Sequence, residues 1–493
     1  MAHILMIKPK HPHFRGMNRT ATPPLGLMSL AAFARIRRPG KDTFLIADER
    51  VHPRSMDQWS GLVREFEPTL IAISAVTVEG SRLEKMALRF KADFPHIPII
   101  AGGPLVSASG LRVLESGHIG YILQGEGEVG FTEFLDALDN GDRFPEHPIS
   151  GLAFKKPDQT LVENPMNLHV PDMEDIPIPA WDLVDLSGYQ GLSRFTPTDA
   201  STRYAVLFTS RGCPYGCVYC HRIFPKKFRP MKASRVVDEM EYLVREYGVS
   251  SFEIIDDIFN LDYNRAMEFC REIKKRNLKV KISFPNGVRG DLLDRDLLRE
   301  LASAGVYQIA FAVESASPRI QKLIKKGIDL ERIRENIAIA TEEGMFTWGF
   351  FMLGFPTETR KELMQTLKFA FTSKLHGAYF FSVVPYEGTE LAAMAMGHNN
   401  FQPRDLRDGD YHHFPKSLAN VSARELSLFQ VMAFFIFFFD PRRIYRILRD
   451  YPHDRRQVIR KFFTLSHFLF IEKPAGLLKS FAQTLARLGP GEK

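Results

Sequence analysis

Two long stretches of this chain alternate short apolar runs with helix-period segments, and that alternation restricts the fold more than any other feature. In residues 1–140 the apolar runs "AHILMI", "TFLIAD", "LIAISAV", "IPIIAGGP" and "IGYILQGEGE" alternate with "PLGLMSLAAFARI", "MDQWSGLVREF", "SRLEKMALRFKADF" and "VGFTEFLDAL". Strand-like runs joined by helices of this length predict a parallel sheet covered on both faces, a doubly wound, Rossmann-like α/β domain. Ligands of such sheets lie at the carboxyl ends of the strands. Ser74, Gly102, Gly103, Gly125 and Glu126 fall at those ends. The alternation resumes at 203–395 through "YAVLFTS", "FEIIDD", "VKISFPN", "YQIAFAVES", "FTWGFFMLGFP" and "AYFFSVVPY". Six such units predict a partial (βα)6 barrel of the TIM type. Between the blocks, 141–202 carries prolines at 145, 148, 157, 165, 171, 177 and 179 with little periodicity, which predicts an irregular connector. Residues 396–493 form a C-terminal helical, basic region.

A chain of 493 residues exceeds one core, in keeping with several domains. Four cysteines in that length exclude a disulfide framework. The opening "MAHILMIKPKHPHF" has neither the apolar length of a span nor the layout of a signal peptide, so a cytoplasmic protein is expected.

Three of the four cysteines lie in eight positions, as Cys213-x3-Cys217-x2-Cys220 within "TSRGCPYGCVYCHRIF". An odd number in a reducing compartment argues against a disulfide. A zinc knuckle wants a fourth ligand from a second pair, and no such pair occurs; His221 adjoins the set without regular ligand spacing. Cys270, in "RAMEFCREI", shares a helical face with Ala266, Phe269 and Ile273 and reads as a core thiol. The remaining reading is a [4Fe-4S] cluster on three thiolates, which leaves one iron open to a ligand. Gly212 and Gly216 let the backbone wrap the sulfides, and Tyr219 shields one edge.

The CxxxCxxC spacing with an aromatic before the last cysteine resembles the signature of the radical S-adenosylmethionine (SAM) superfamily. "IIDDIF", "FAVESAS", "MLGFPTET" and "PYEGTEL" resemble later strand ends of its cobalamin-dependent branch. So do "TPPLGLMSLAAFAR", "IIAGGP" and "QGEGE" in the first block. The magnesium-protoporphyrin ester cyclase and hopanoid-biosynthesis class has this layout. The resemblance implies that the open iron chelates SAM and that an electron from the cluster splits it to a 5'-deoxyadenosyl radical. It implies SAM contacts from Tyr219, Asp256, Arg289, Glu314 and Ser315, and cobalamin contacts from Ser74, Gly102, Gly103, Gly125 and Glu126. Each has a plainer reading: Asp256 and Asp257 as caps of the next helix, Arg289 as a solvent-facing side chain, the glycines as ordinary turns. The Asp-x-His-x-x-Gly motif that supplies a lower cobalt ligand is absent, and His11 and His13 do not replace it, so no axial ligand is assigned.

"LFQVMAFFIFFFDPRRIYRILRD" holds six phenylalanines between 429 and 439, then Arg442, Arg443, Arg446 and Arg449. Residues 441–493 carry 12 Lys/Arg against 4 Asp/Glu, a surplus of 8 that accounts for the net charge of +7. The apolar run is too short to span a bilayer. It predicts either a buried helix lining the barrel mouth or a peripheral contact with the inner face of a membrane, arginines meeting lipid phosphates. Nucleic acid is not an expected partner, because aromatics are not interleaved with the basic residues.

The expected activity is cobalamin-dependent radical SAM chemistry on an unactivated carbon of a large apolar, lipid- or tetrapyrrole-like substrate. Methyl transfer and cyclisation, oxidation or rearrangement both remain open, with electrons from an external flavodoxin- or ferredoxin-type donor. A methylthiotransferase would need three further N-terminal cysteines, and the first cysteine here is Cys213. The alternative from another class is a non-catalytic iron–sulfur or cobalamin-responsive redox sensor.

Overall fold

The structure, a computed structural model, describes residues 2–11, 21–166, 170, 172–196, 198, 203–221, 223–397, 401 and 416–453. Its first sheet has seven strands in the order β2-β1-β3-β4-β5-β6-β7. These are β1 (Ala2–Lys8), β2 (Asp42–Asp48), β3 (Leu70–Ser74), β4 (Ile99–Gly102), β5 (Tyr121–Leu123), β6 (Leu152–Lys155) and β7 (Leu161–Glu163). The first five are parallel, and β6 and β7 add antiparallel to the edge. Both edge strands come from the proline-rich stretch 141–202, where the sequence shows little periodicity. The helices between are α1 (Leu25–Arg37), α2 (Met56–Phe66), α3 (Gly80–Asp93), α4 (Pro104–Ser109) and α5 (Glu128–Asp139).

Strand β3 explains the doubly wound arrangement. Ile71 and Ile73 pack on one face with Trp59 and Phe90, whereas Leu70 and Ala72 pack on the other with Phe131 and Phe134. A strand apolar on both faces is stable only between two helical layers.

The second sheet is a partial barrel of six parallel strands in the order β15-β14-β13-β12-β11-β8. They are β8 (Tyr204–Leu207), β11 (Ser251–Ile254), β12 (Lys281–Val288), β13 (Val306–Glu314), β14 (Phe346–Leu353) and β15 (Gly377–Ser382); β9 (Ser210–Arg211) and β10 (Arg229–Pro230) pair separately. Around it run α6 (Ala233–Tyr247), α7 (Tyr263–Lys275), α8 (Arg295–Ser303), α9 (Pro318–Leu323), α10 (Leu330–Glu342), α11 (Arg360–Thr372) and α12 (Glu390–Met396). Phe351 and Phe380 join the core shared with this helical layer. Residues of opposite parity, Trp348, Tyr379 and Phe381, stack on the other face, with centroids 4.9 Å and 5.3 Å apart.

The C-terminal helices are α13 (Ala423–Phe438) and α14 (Pro441–Asp450). Helix α13 packs against β15 and α11, outside the barrel mouth expected for it, and Phe437 meets Phe380 edge-on. Of its phenylalanines only Phe437 is buried, and Met432, Ile436 and Phe439 are exposed. Arg443 is 1% exposed and donates to the carbonyls of Leu375 and Phe371 at the end of α11. Arg446 donates to Leu375 O, and Arg449 pairs with Asp450. Two of the four arginines expected at lipid phosphates are thus spent on backbone carbonyls. Most of the C-terminal charge surplus lies beyond residue 453, outside the described residues.

His376 pins α14 to the barrel. Its Nδ1 meets the Thr347 backbone N–H at 3.0 Å and its Nε2 meets Asp450 at 3.0 Å. Burial lowers its pKa to about 4 against the partial opposition of Asp450. The unfolded chain binds this proton near pH 6.5 and the folded one does not, so stability falls as pH drops from about 6.5 to 4. The full effect is on the order of 3 kcal/mol. Urea unfolding of the wild type and of His376→Gln at pH 7 and 4.5 checks this: the wild type should lose more on acidification, and equal losses would contradict it.

Candidate active site

The three cysteines hang on a loop whose base is the β9–β10 ladder, with Arg211 directly opposite Arg229. Residues 212–228 bulge between them. Gly212 has φ +80°, and a Cβ there would lie 2.4 Å from Lys227 O and 2.6 Å from Pro225 O, so only glycine lets the loop close. The far side of the loop is laced to the barrel: Val218 N–H donates to Ile324 O at 3.1 Å, and Leu391 N–H to Val218 O at 2.9 Å. Cys217 Sγ lies 3.9 Å from Lys325 O. All three cysteines are half-buried, whereas Cys270 is fully buried in α7, where burial pushes its thiol up to about 12.

Burial raises the Cys213 thiol and pushes Cys220 up to about 11, and each feels the charges of the other cysteines. One electrostatic neighbourhood therefore holds three soft donors, at the carboxyl end of a barrel strand. Among the described residues no three His, Cys, Asp or Glu side chains converge on a single ion. A cubane takes each thiolate on a different iron, so three cysteines on one short loop suit a [4Fe-4S] cluster, whereas a closed zinc site needs a fourth ligand.

Of the residues implied in SAM binding, Tyr219 and Glu314 come together. Glu314 ends β13 with φ +64°, a strained left-handed conformation for a side-chain-bearing residue. Lys326 bridges the two, 2.9 Å from Glu314 Oε1 and 3.2 Å from Tyr219 Oη, and both ion-pair side chains are 9% exposed. The lysine pair in "IKKGID" has no motif around it, so sequence reasoning missed Lys326. The Phe355 ring faces Tyr219 at 6.0 Å. Its turn is held by Glu358, which accepts from the N–H groups of Gly354 and Phe355; burial pushes this carboxyl up to about 8.

Arg289 is largely buried and not solvent-facing. It pairs with Asp291 at 3.1 Å, donates to Gly327 O and lies over the Tyr215 ring at 3.8 Å. Ser315 is fully buried, its hydroxyl meeting that of Thr366 in α11 and accepting from the Ser317 N–H. Asp256 differs from both expectations. Its carboxylate accepts from Thr209 N at 2.5 Å, from the Thr209 hydroxyl and from Ser210 Oγ at 2.7 Å, tying β11 to the root of the cysteine loop. The next helix is capped instead by Asp262, which accepts from Arg265 N. Asp257 pairs with His221 at 3.2 Å beside the loop.

The carboxyl edge of the first sheet faces this end of the barrel. Glu387, in "PYEGTEL", accepts from Ser109 Oγ at 2.9 Å and pairs with Arg112. Ser74 and Gly102 are register partners on that edge, and Gly103 turns at φ +87° where a Cβ would meet Ser74 Oγ at 2.7 Å. Gly125 turns at φ +74°, its N–H 3.3 Å from Ser107 Oγ. At Gly103 and Gly125 the missing Cβ makes room for Ser74, Ala75 and Met166 of the chain itself, so both glycines serve the packing of these turns. Glu126 is different: its carboxylate is taken by Arg211 at 3.0 Å and by Arg229. A missed feature of the edge is Lys8, buried at the end of β1 against Glu79 and 3.5 Å from Ser74 O; burial lowers its pKa, opposed by Glu79. His13 lies outside the described residues.

Comparison with known proteins adds to this geometry. Residues 207–370 match the radical SAM superfamily and 19–135 match the B12 binding domain. The chain is 30% identical over 402 residues to an uncharacterized methyltransferase of Pyrococcus horikoshii, covering 81% of this chain and 84% of that one. It is 27% identical over 372 residues to the anaerobic magnesium-protoporphyrin IX monomethyl ester cyclase of Rubrivivax gelatinosus, covering 74% and 65%. The cobalamin-dependent SAM radical enzyme OxsB, solved with aqua-cobalamin and S-adenosylmethionine, shares the fold at a TM-score of 0.71 and 15% identity, over 99% of this chain and 75% of that one.

Proposed function

This chain belongs to the radical SAM superfamily, in the branch that carries a B12-binding domain, and from that premise we propose that it modifies an unactivated carbon of a large apolar substrate. Cys213, Cys217 and Cys220 would hold a [4Fe-4S] cluster that with SAM would supply radical chemistry, and the first domain would hold cobalamin. The observation that carries the reading is the half-buried cysteine loop, facing the carboxyl edge of the first sheet. Residues 1–140 then hold cobalamin and 203–395 hold cluster and SAM, with 141–202 connecting them.

Cys213, Cys217 and Cys220 hold the irons, and the laced loop keeps them oriented. Tyr219 and Phe355 offer an aromatic edge to SAM, and Glu314 with Lys326 offers paired charge to its polar groups. The row Trp348, Tyr379 and Phe381 gives an apolar wall that supports a lipid- or tetrapyrrole-like substrate. Lys326→Met leaves Glu314 buried without its cation, a lesion worth about 3–5 kcal/mol where both partners are desolvated. We expect the KM for SAM to rise at least about tenfold at unchanged iron content; an unchanged KM would remove the pair from the SAM site.

The deciding experiment is anaerobic reconstitution with cobalamin, SAM, reductant and a lipid extract, followed by quantitation of nucleosides. S-adenosylhomocysteine together with 5'-deoxyadenosine supports methyl transfer, and deoxyadenosine alone supports cyclisation, oxidation or rearrangement. Neither nucleoside under any reductant, including a flavodoxin or ferredoxin, would leave the redox-sensor alternative.

Among the described residues no helix is long and apolar enough to cross a membrane. A peripheral contact would use the exposed Ile436, Phe439, Ile444, Tyr445 and Leu448 with Arg442. Flotation with phosphatidylglycerol vesicles should carry the wild type, and Ile436→Asp with Tyr445→Asp should sink. Equal flotation of both would remove this face from the contact.

A further inference from the structure

The cysteine loop is closed at its base by two cross-strand arginines, and both end on the first domain. Arg211 donates to Glu126 at 3.0 Å and to Glu128 at 2.6 Å and 3.1 Å. Arg229, its ladder partner, pairs with Glu126 and donates to Val170 O at 3.1 Å. Ser29, from α1, completes the shell with a 2.7 Å bond to Glu128. Two carboxylates and two guanidiniums balance, with side-chain exposures of 3%, 4%, 12% and 6% for Glu126, Glu128, Arg211 and Arg229. Glu126 is the middle residue of the Gly125–Gly127 turn on the edge that faces the barrel, and Arg211 stands two residues before the first cysteine.

A buried quartet of this kind is an all-or-none device. Separating one member leaves its partner desolvated and unpaired, which costs far more than the pair contributes when intact. Only a few residues of chain separate each end of it from a cofactor loop.

We propose that Glu126, Glu128, Arg211 and Arg229 are positioning residues coupling the two cofactor sites, so that cobalamin on the first domain steadies the cysteine loop and slows cluster loss. A gain in equilibrium cluster affinity is reciprocal by linkage: a chain with its cluster assembled then binds cobalamin more tightly than one without. This rests on the function proposed above, since it needs both cofactors.

The test uses the full-length chain, reconstituted anaerobically and challenged with EDTA, with and without hydroxocobalamin. Iron release is followed by absorbance, and cobalamin binding is measured separately by its own spectrum. In the wild type, cobalamin should slow iron release about tenfold, inside the usual range of allosteric couplings. In Glu128→Gln and, as an independent second lesion should the first fold poorly, Arg229→Lys, cobalamin should still bind while its protection of the cluster disappears. Equal protection in wild type and variants, or none in a wild type that binds both cofactors, would overturn the coupling. A wild type that assembles no cluster would overturn the functional reading itself, and iron content at the outset distinguishes the two failures.

Discussion

Replacing Cys217 with alanine should reduce both iron content and deoxyadenosine formation to background while the chain stays folded. Three thiolates hold three irons of a cubane. With two, the cluster has neither a stable seat nor a defined open iron, and SAM has nothing to chelate it. The thiol is half-buried on a loop, in polar contact with Lys325 O at 3.9 Å and with the Tyr219 side chain. Its loss should change the unfolding free energy by no more than about 1 kcal/mol. Cys270→Ala is the matched control: that side chain is 0% exposed inside α7, far in character from a metal ligand, and its variant should keep cluster and turnover. Full iron and full activity in Cys217→Ala would sink the assignment of the site.

Gly212→Ala should be nearly as severe by a different route. The added methyl meets two backbone carbonyl oxygens at 2.4 Å and 2.6 Å, and backbone cannot swing aside as a side-chain tip can. The residue also has to hold φ +80°, which disfavours any Cβ. Clash and strain together should cost more than about 3 kcal/mol locally. The loop opens instead, and the neighbouring Cys213 leaves its place. Iron content after reconstitution should fall at least severalfold, with far-ultraviolet circular dichroism unchanged. Gly216→Ala is the contrast, because nothing lies within 4 Å of a Cβ there, and it should assemble a normal cluster. Identical iron content in the two variants would show that the wrap at Gly212 is not needed.

These outcomes separate what local sequence encodes from what packing adds. Cysteine spacing is a local property, because a cluster a few ångströms wide must take its ligands from one short loop. The two sheets were legible for a related reason. Runs such as "LIAIS" are apolar on both faces, and only a doubly covered strand hides both. The irregular stretch 141–202 was harder: β6 and β7 are four and three residues long, and β7 is largely exposed. Strands that short acquire their identity from the edge they join, so no period in their own residues announces them.

The side chains around the cysteine loop show the same boundary. The sequence alone determined the doubly wound domain, the partial barrel and the cofactors that such a loop and such a sheet imply, and it is the ground on which Cys213, Cys217 and Cys220 are proposed as the cluster ligands. Tertiary structure alone decided the partners of the charged residues. Glu126 went to Arg211 and Arg229, Asp256 to Thr209 and Ser210, Glu314 to Lys326, Arg443 to the end of α11. A buried charge must find a counter-charge or a set of hydrogen bonds wherever the fold brings one. The pairs formed here span 12 to 103 positions of sequence, distances over which spacing carries no information.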